Sequence, residues 1–144
     1  MTEVKQESSK AELFGAITES IRDARFSAQK LVEVFNENMQ SLRIEENDSV
    51  FENLTQCIEQ LQYFMEFVNE LKIGISYFDS FGLPEDPISD GSAGIKLFQE
   101  MNSAFESKDW IMLSDLIEYE LSPLLLKEDS WLDNLDAKLV GYVA

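Results

Sequence analysis

Through residues 9–43 the chain sets an apolar or small side chain at every third or fourth position: Phe14, Ile17, Ile21, Ala24, Ala28, Leu31, Phe35 and Leu42, with Asn38 as one polar intruder. Steps alternating between three and four keep these side chains on one stripe of an α-helix, and their repetition makes a heptad-like seam. The two alanines let a neighbouring helix come close, and Asn38 either sets the register or, as expected first, lies at the wet end of the bundle. Residues 1–8 are polar and are expected to fray. Residues 45–49 form a polar link in which Asn47 or Asp48 can cap a second helix. Val50, Leu54, Cys57, Leu61, Phe64, Val68, Leu71, Ile75 and Phe78 then hold the same spacing, flanked by Phe51, Ile58 and Met65. So short a link makes the two helices antiparallel neighbours. Gly74 lies inside the second helix, where it costs about 1 kcal/mol relative to alanine. A close helix crossing would account for it.

Residues 79–92, DSFGLPEDPISDGS, break the pattern, because Gly82, Pro84, Pro87 and Gly91 stop a continuous helix. This longest loop connects the two halves of the bundle and is the first place to look for a functional loop. Ile95, Phe98, Met101 and Phe105 predict a third, shorter helix ending near Ser107. A tight turn follows at Lys108 and Asp109, with Asp109 as N-cap of a fourth helix.

That fourth helix is unusually apolar. Eleven of the seventeen residues in 110–126 are Trp, Ile, Met, Leu or Tyr, where a bundle helix needs roughly three in seven. The surplus must face another helix, the C-terminal segment or a partner. Pro123 cannot donate to the carbonyl of Tyr119 and its ring clashes with it, so the helix either kinks there or restarts with Ser122 as cap. The apolar stripe crosses the proline in phase, which favours a kinked continuation. Trp131, Leu132, Leu135, Leu139 and Val140 carry helical spacing almost to the end. A period of two appears nowhere. The fold class is therefore all-α, an antiparallel four-helix bundle with a kinked or broken C-terminal helix. Residues 9–144 form one domain, comprising a long hairpin at 9–78, a loop at 79–92 and a second hairpin at 93–143.

Charge narrows the function. The 144 residues hold 28 Asp and Glu against 11 Lys and Arg, a net charge of −17. This opposes binding to nucleic-acid phosphates and to anionic membrane surfaces. No run of eighteen apolar residues exists to span a membrane, and MTEVKQESSK lacks the apolar core of a secretory leader. One cysteine, Cys57, excludes an internal disulfide and falls on the apolar face of the second helix. A reducing cytoplasm fits.

No histidine is present, so a serine or cysteine nucleophile lacks its usual base. Asp109, Asp115, Glu118 and Glu120 gather carboxylates on the fourth helix, but the Glu-x-x-His pairing of ferritin-like bundles cannot be built. Asp115 and Glu118 are expected to face solvent. Glu120 is expected to be partly buried against a Lys or Arg of another helix. No catalytic, cofactor-binding or metal-ligating residue is assigned, and the chain is read as a non-enzyme.

Residues 106–125, ESKDWIMLSDLIEYELSPLL, resemble a turn-and-helix pattern of small bacterial all-helical proteins, some linked to flagella, and more loosely the flagellar export chaperones of the bundle type. The resemblance covers about twenty residues. It implies a cytoplasmic binding protein with no catalytic residues. The expectation is a non-catalytic, protein-binding helical bundle, an export chaperone or adaptor that holds an amphipathic helix of its partner. The expected binding residues are Trp110, Met112, Leu116, Tyr119, Pro123 and Leu126. The alternatives are a homo-oligomeric structural bundle and a bundle binding a divalent metal through carboxylates. The partner is a protein or a second copy, and no cofactor is implied.

Overall fold

The computed structural model describes residues 2–44, 48–78 and 80–143, with side chains described from residue 9 to residue 142 of these. Helices α1 (Thr2–Ile44), α2 (Asp48–Ile75) and α3 (Ser92–Glu106) are followed by one continuous helical rod. The rod consists of α4 (Trp110–Leu116), a π-helical turn (Ile117–Leu121) and α5 (Ser122–Val143). Among the described residues there is no β-strand. The protein is an all-α, antiparallel four-helix bundle whose last helix is kinked and unbroken.

Helix α1 is the hub, packed against α2 on one side and against α4, the π turn and α5 on the other. The antiparallel sense is written in its polar contacts. Arg25 meets Asp129 at 2.9 Å and Asp133 at 3.0 Å, Ser122 donates to Asn36 at 3.3 Å, and Arg43 reaches Asp115 at 2.7 Å. Ala24 and Ala28 are fully buried between the two neighbours, where their small side chains admit close approach. All eight residues from Val50 to Ile75 in the α2 seam are buried, Cys57 included.

Several local expectations are revised. Helix α1 starts at Thr2 rather than near residue 9. Residues 2–8 contain no helix breaker and include Glu, Lys and Gln, which favour helix without needing a core. Asn38 is half-buried, not at a wet end; its Nδ2 donates to the Val34 carbonyl at 2.8 Å and to Cys57 Sγ at 3.4 Å, while Met39 takes the buried place beside it. Gly74 does face α1, but an added Cβ would stand 3.5 Å from Ile17, an ordinary contact. The crossing therefore does not require glycine.

The turn between α3 and α4 is a Schellman motif. Lys108 takes the left-handed conformation (φ 57°), its N–H donates to Phe105 O at 3.2 Å, and the N–H of Asp109 donates to Ala104 O at 2.9 Å. Asp109 then caps α4, its Oδ1 accepting from Met112 N at 3.1 Å.

Pro123 explains the π turn. An α-helix would press its ring against the Tyr119 carbonyl, and a π turn widens the coil just before it. The N–H of Ser122 reaches back five residues to Ile117 O. Ser122 caps nothing; its hydroxyl faces α1. Beyond the kink α5 stays on α1, burying Trp131, Leu132, Leu135 and Leu139 while Val140 is exposed. The C-terminal segment is core, not a cover folded back over the fourth helix.

Candidate partner-binding surface

The surplus apolar residues of the fourth helix divide into two sets. Leu113, Leu116, Ile117, Leu121, Leu124 and Leu125 are buried. Trp110 is half-buried, its ring 4.6 Å from Phe51 and 5.7 Å from Phe105 between centroids. Ile111 (68% exposed), Met112, Tyr119 (67% exposed) and Leu126 face outward, and Pro123 lies among them. Of the six residues expected to bind a partner, Met112, Tyr119, Pro123 and Leu126 thus form an open stripe. Trp110 packs half-buried against the core, and Leu116 is buried but lines the hollow that Ile111, Met112 and Tyr119 share.

Carboxylates rim this stripe. Asp115 and Glu118 do not simply face water: Arg43 of α1 bridges them, 2.7 Å from each. Glu118, not Glu120, is the half-buried one. A phase of 3.6 residues per turn misplaces both, since the π turn rotates the helix between them.

A second apolar surface was not foreseen. Helices α2 and α3 do not pack closely; α3 rests on α4 and the π turn instead. A groove of about 560 Å³ runs between them, floored by Leu61, Met101 and Leu113 and walled by Ile58, Met65, Phe98 and Phe105. Along this stretch α3 lies against α4 and the π turn rather than against α2, which leaves the flank of α2 without a close neighbour. Ile58 and Met65 were visible in the sequence as a flank beside the α2 seam, a signal that the helix is apolar over more than one neighbour can cover.

The groove's far end is tied by the loop of residues 80–91. Two turns beyond Met65, Lys72 Nζ lies 3.4 Å from Asp86 and 3.1 Å from Asp90. Asp86 is 0% exposed, and its Oδ1 accepts from the backbone N–H of Ile88 at 3.0 Å. Asp90 in turn accepts from the N–H of Asp86 at 2.8 Å, which with Lys72 holds its carboxyl below the usual range despite some desolvation. Glu128 of α5, 1% exposed, accepts from the same Ile88 N–H at 3.4 Å and is hydrogen-bonded to Asp86. Burial first, and then the bond to Asp86 and its charge, push Glu128 up to about 9, against the opposing pull of Ile88 N–H and Lys72. It is a protonated acid at neutral pH and donates to Asp86. The loop is further pinned by Trp131 Nε1 donating to Pro84 O at 3.3 Å, and by Lys138, which bonds the Gly82 carbonyl and lies over the Phe81 ring.

A family model described as a domain of unknown function, DUF8042, matches residues 19–128. The chain belongs to this family. No curated protein and no solved structure matches it. The DUF8042 region takes in the groove, the Lys72–Asp86–Asp90 tie and Glu128 at its last residue.

Among the described residues no group of three or more His, Cys, Asp or Glu is arranged to hold a metal ion, and no helix is long and apolar enough to cross a membrane. Cys57 is buried, and its thiol is pushed up by desolvation, with the Asn38 bond working against that. What the arrangement offers chemically is apolar surface beside carboxylates.

Proposed function

We propose that the protein is a non-catalytic binding bundle that holds an amphipathic helix of a protein partner, in the manner of a bacterial export chaperone or adaptor acting in the cytoplasm. The observation that carries this reading is the open groove between α2 and α3, an apolar trough in a chain whose own helices leave it uncovered. A helix-in-groove complex needs a concave apolar bed and a rim that fixes register. Purification of the tagged protein from its own host, followed by reconstitution of any recovered partner from pure components, tests the reading. A defined complex through a helical segment is the expected result. A monomer that recovers nothing and reconstitutes nothing overturns it.

A second reading, self-association into a structural bundle, draws on the exposed stripe of Met112, Tyr119, Pro123 and Leu126. Its signature is a concentration-dependent dimer that Tyr119→Ser with Leu126→Ser disperses.

A further inference from the structure

Resting on the protein-binding reading, we infer that the α2–α3 groove is built for one class of occupant: a partner helix of about three turns with an apolar face and Lys or Arg on its flanks. The groove fixes the length. Its α2 wall runs from Thr55 to Met65, about 15 Å at 1.5 Å per residue. Aromatic rings close one end, where Phe105 meets Trp110 and Trp110 packs on Phe51; two turns past Met65 at the other, the Lys72 tie fastens α2 to the loop that leads into α3. The apolar walls accept side chains at i, i+3, i+4 and i+7, the spacing of one helix face.

The rim fixes the charge. Glu59 lines the groove, and Glu52 and Glu66 stand one heptad to either side on the same helix, all three exposed. Across the groove Glu106 is exposed on α3 and accepts from Asn102, a lining residue, at 3.4 Å. Helix α2 carries a single cation, Lys72, and it is already bound to Asp86 and Asp90. A helix lying in the trough therefore has carboxylates beside it, and Lys or Arg flanks answer them. A second copy of this chain is a poor occupant, because it brings the same net charge of −17. Its approach is opposed before any apolar contact forms.

Methionine methyl NMR on the full chain separates the outcomes, because Met65 and Met101 line the groove, Met112 lies on the fourth-helix stripe and Met39 is in the core. The probe is a synthetic peptide of about twelve residues, three turns long, stapled as a helix, with Leu at i, i+3, i+4 and i+7, Lys or Arg on the flanks of that face and Ala elsewhere. Its controls are a scramble of the same composition and the same peptide with Glu replacing Lys and Arg. The expected result is movement of Met65 and Met101 with the basic peptide alone, Met112 and Met39 staying still. Glu59→Lys with Glu66→Lys is expected to weaken binding about tenfold or more at low salt and much less at high salt. Equal binding of the scrambled peptide, or of the acidic one, overturns the inference. So does no binding of any peptide, and if a host partner is nevertheless recovered and reconstituted, protein binding stands while this seat for it falls. Movement at Met112 in place of Met65 and Met101 overturns it as well, and places the contact on the stripe.

Discussion

The Glu128 carboxyl, rooted on α5, donates to the Asp86 carboxylate in the loop between α2 and α3, and neither group reaches water. In the unfolded chain Glu128 ionises near its ordinary value of 4.5; in the folded chain it does so near 9. The folded state therefore holds an extra proton between those values. The stability this group supports is complete below the lower value and drains away as pH rises toward the upper one. Glu128→Gln keeps a donor for Asp86 and an acceptor for Ile88 N–H without the titration. It is expected to be more stable than the parent by about 1–3 kcal/mol at pH 7–8 and no more stable near pH 4. Urea unfolding of both proteins across this range measures the difference; parallel curves would show that Glu128 does not titrate as described.

Two glycines in helices should respond oppositely to alanine. A Cβ on Gly94 would overlap the carbonyl of Ile88, where the loop lies against α3. Gly94→Ala is expected to cost about 1–3 kcal/mol by pushing the loop away. Gly74→Ala meets ordinary contact with Ile17 and is expected to gain about 0.5–1 kcal/mol. Thermal melts of the two variants are expected to move in opposite directions.

The α3–α4 turn offers a similar pair. Lys108 sits at a positive φ that suits glycine, so Lys108→Gly should stabilise by about 1 kcal/mol. Asp109→Ala removes the cap on Met112 N and should cost about 0.5–2 kcal/mol. Chemical denaturation reads both.

Cys57 should be unreactive toward a thiol reagent in the native protein, since it is buried and burial raises its thiol. Labelling at the rate of a free thiol would put it at the surface. Cys57→Ser is expected to cost about 1–3 kcal/mol through a poorly paired buried hydroxyl.

Deleting residues 128–144 should unfold the chain. It strips Trp131, Leu132, Leu135 and Leu139 from α1 and removes both carboxylate partners of Arg25. Loss of cooperative melting by circular dichroism is the expected result. A truncated chain that still melts cooperatively would show the segment to be dispensable.

The architecture was legible because spacing reports burial directly. Every α2 residue from Val50 to Ile75 in the three–four pattern is buried, and Asp109 caps α4 as its place in the sequence implied. The groove was harder to read. Periodicity says which residues avoid water, not which neighbour lies close enough to shelter them. The Asp86–Glu128 pair was invisible: in so acidic a chain nothing distinguishes two carboxyls that meet only when the loop is laid against α5. The burial of Leu116 and half-burial of Trp110 could not be read from a count of apolar residues, and Glu118 and Glu120 were exchanged because the helix does not keep one pitch through Ile117–Leu121.

That change of pitch makes the fourth helix a splice between two reading frames. Up to Leu116 its residues are phased to Arg43 in the last turn of α1; after Ser122 they are phased to Arg25 near the middle of α1. The wide turn takes up one residue more than an ordinary turn, so losing one residue there would restore an ordinary helix and leave everything downstream on the face it now holds. Losing one from the regular helix on either side would instead swing the downstream residues by about 100° around the axis, and Leu132, Leu135 and Leu139 would point away from α1 with no residue in the core replaced. The turn at Ile117–Leu121 is thus where this helix should best absorb a one-residue deletion, with Pro123 replaced alongside it.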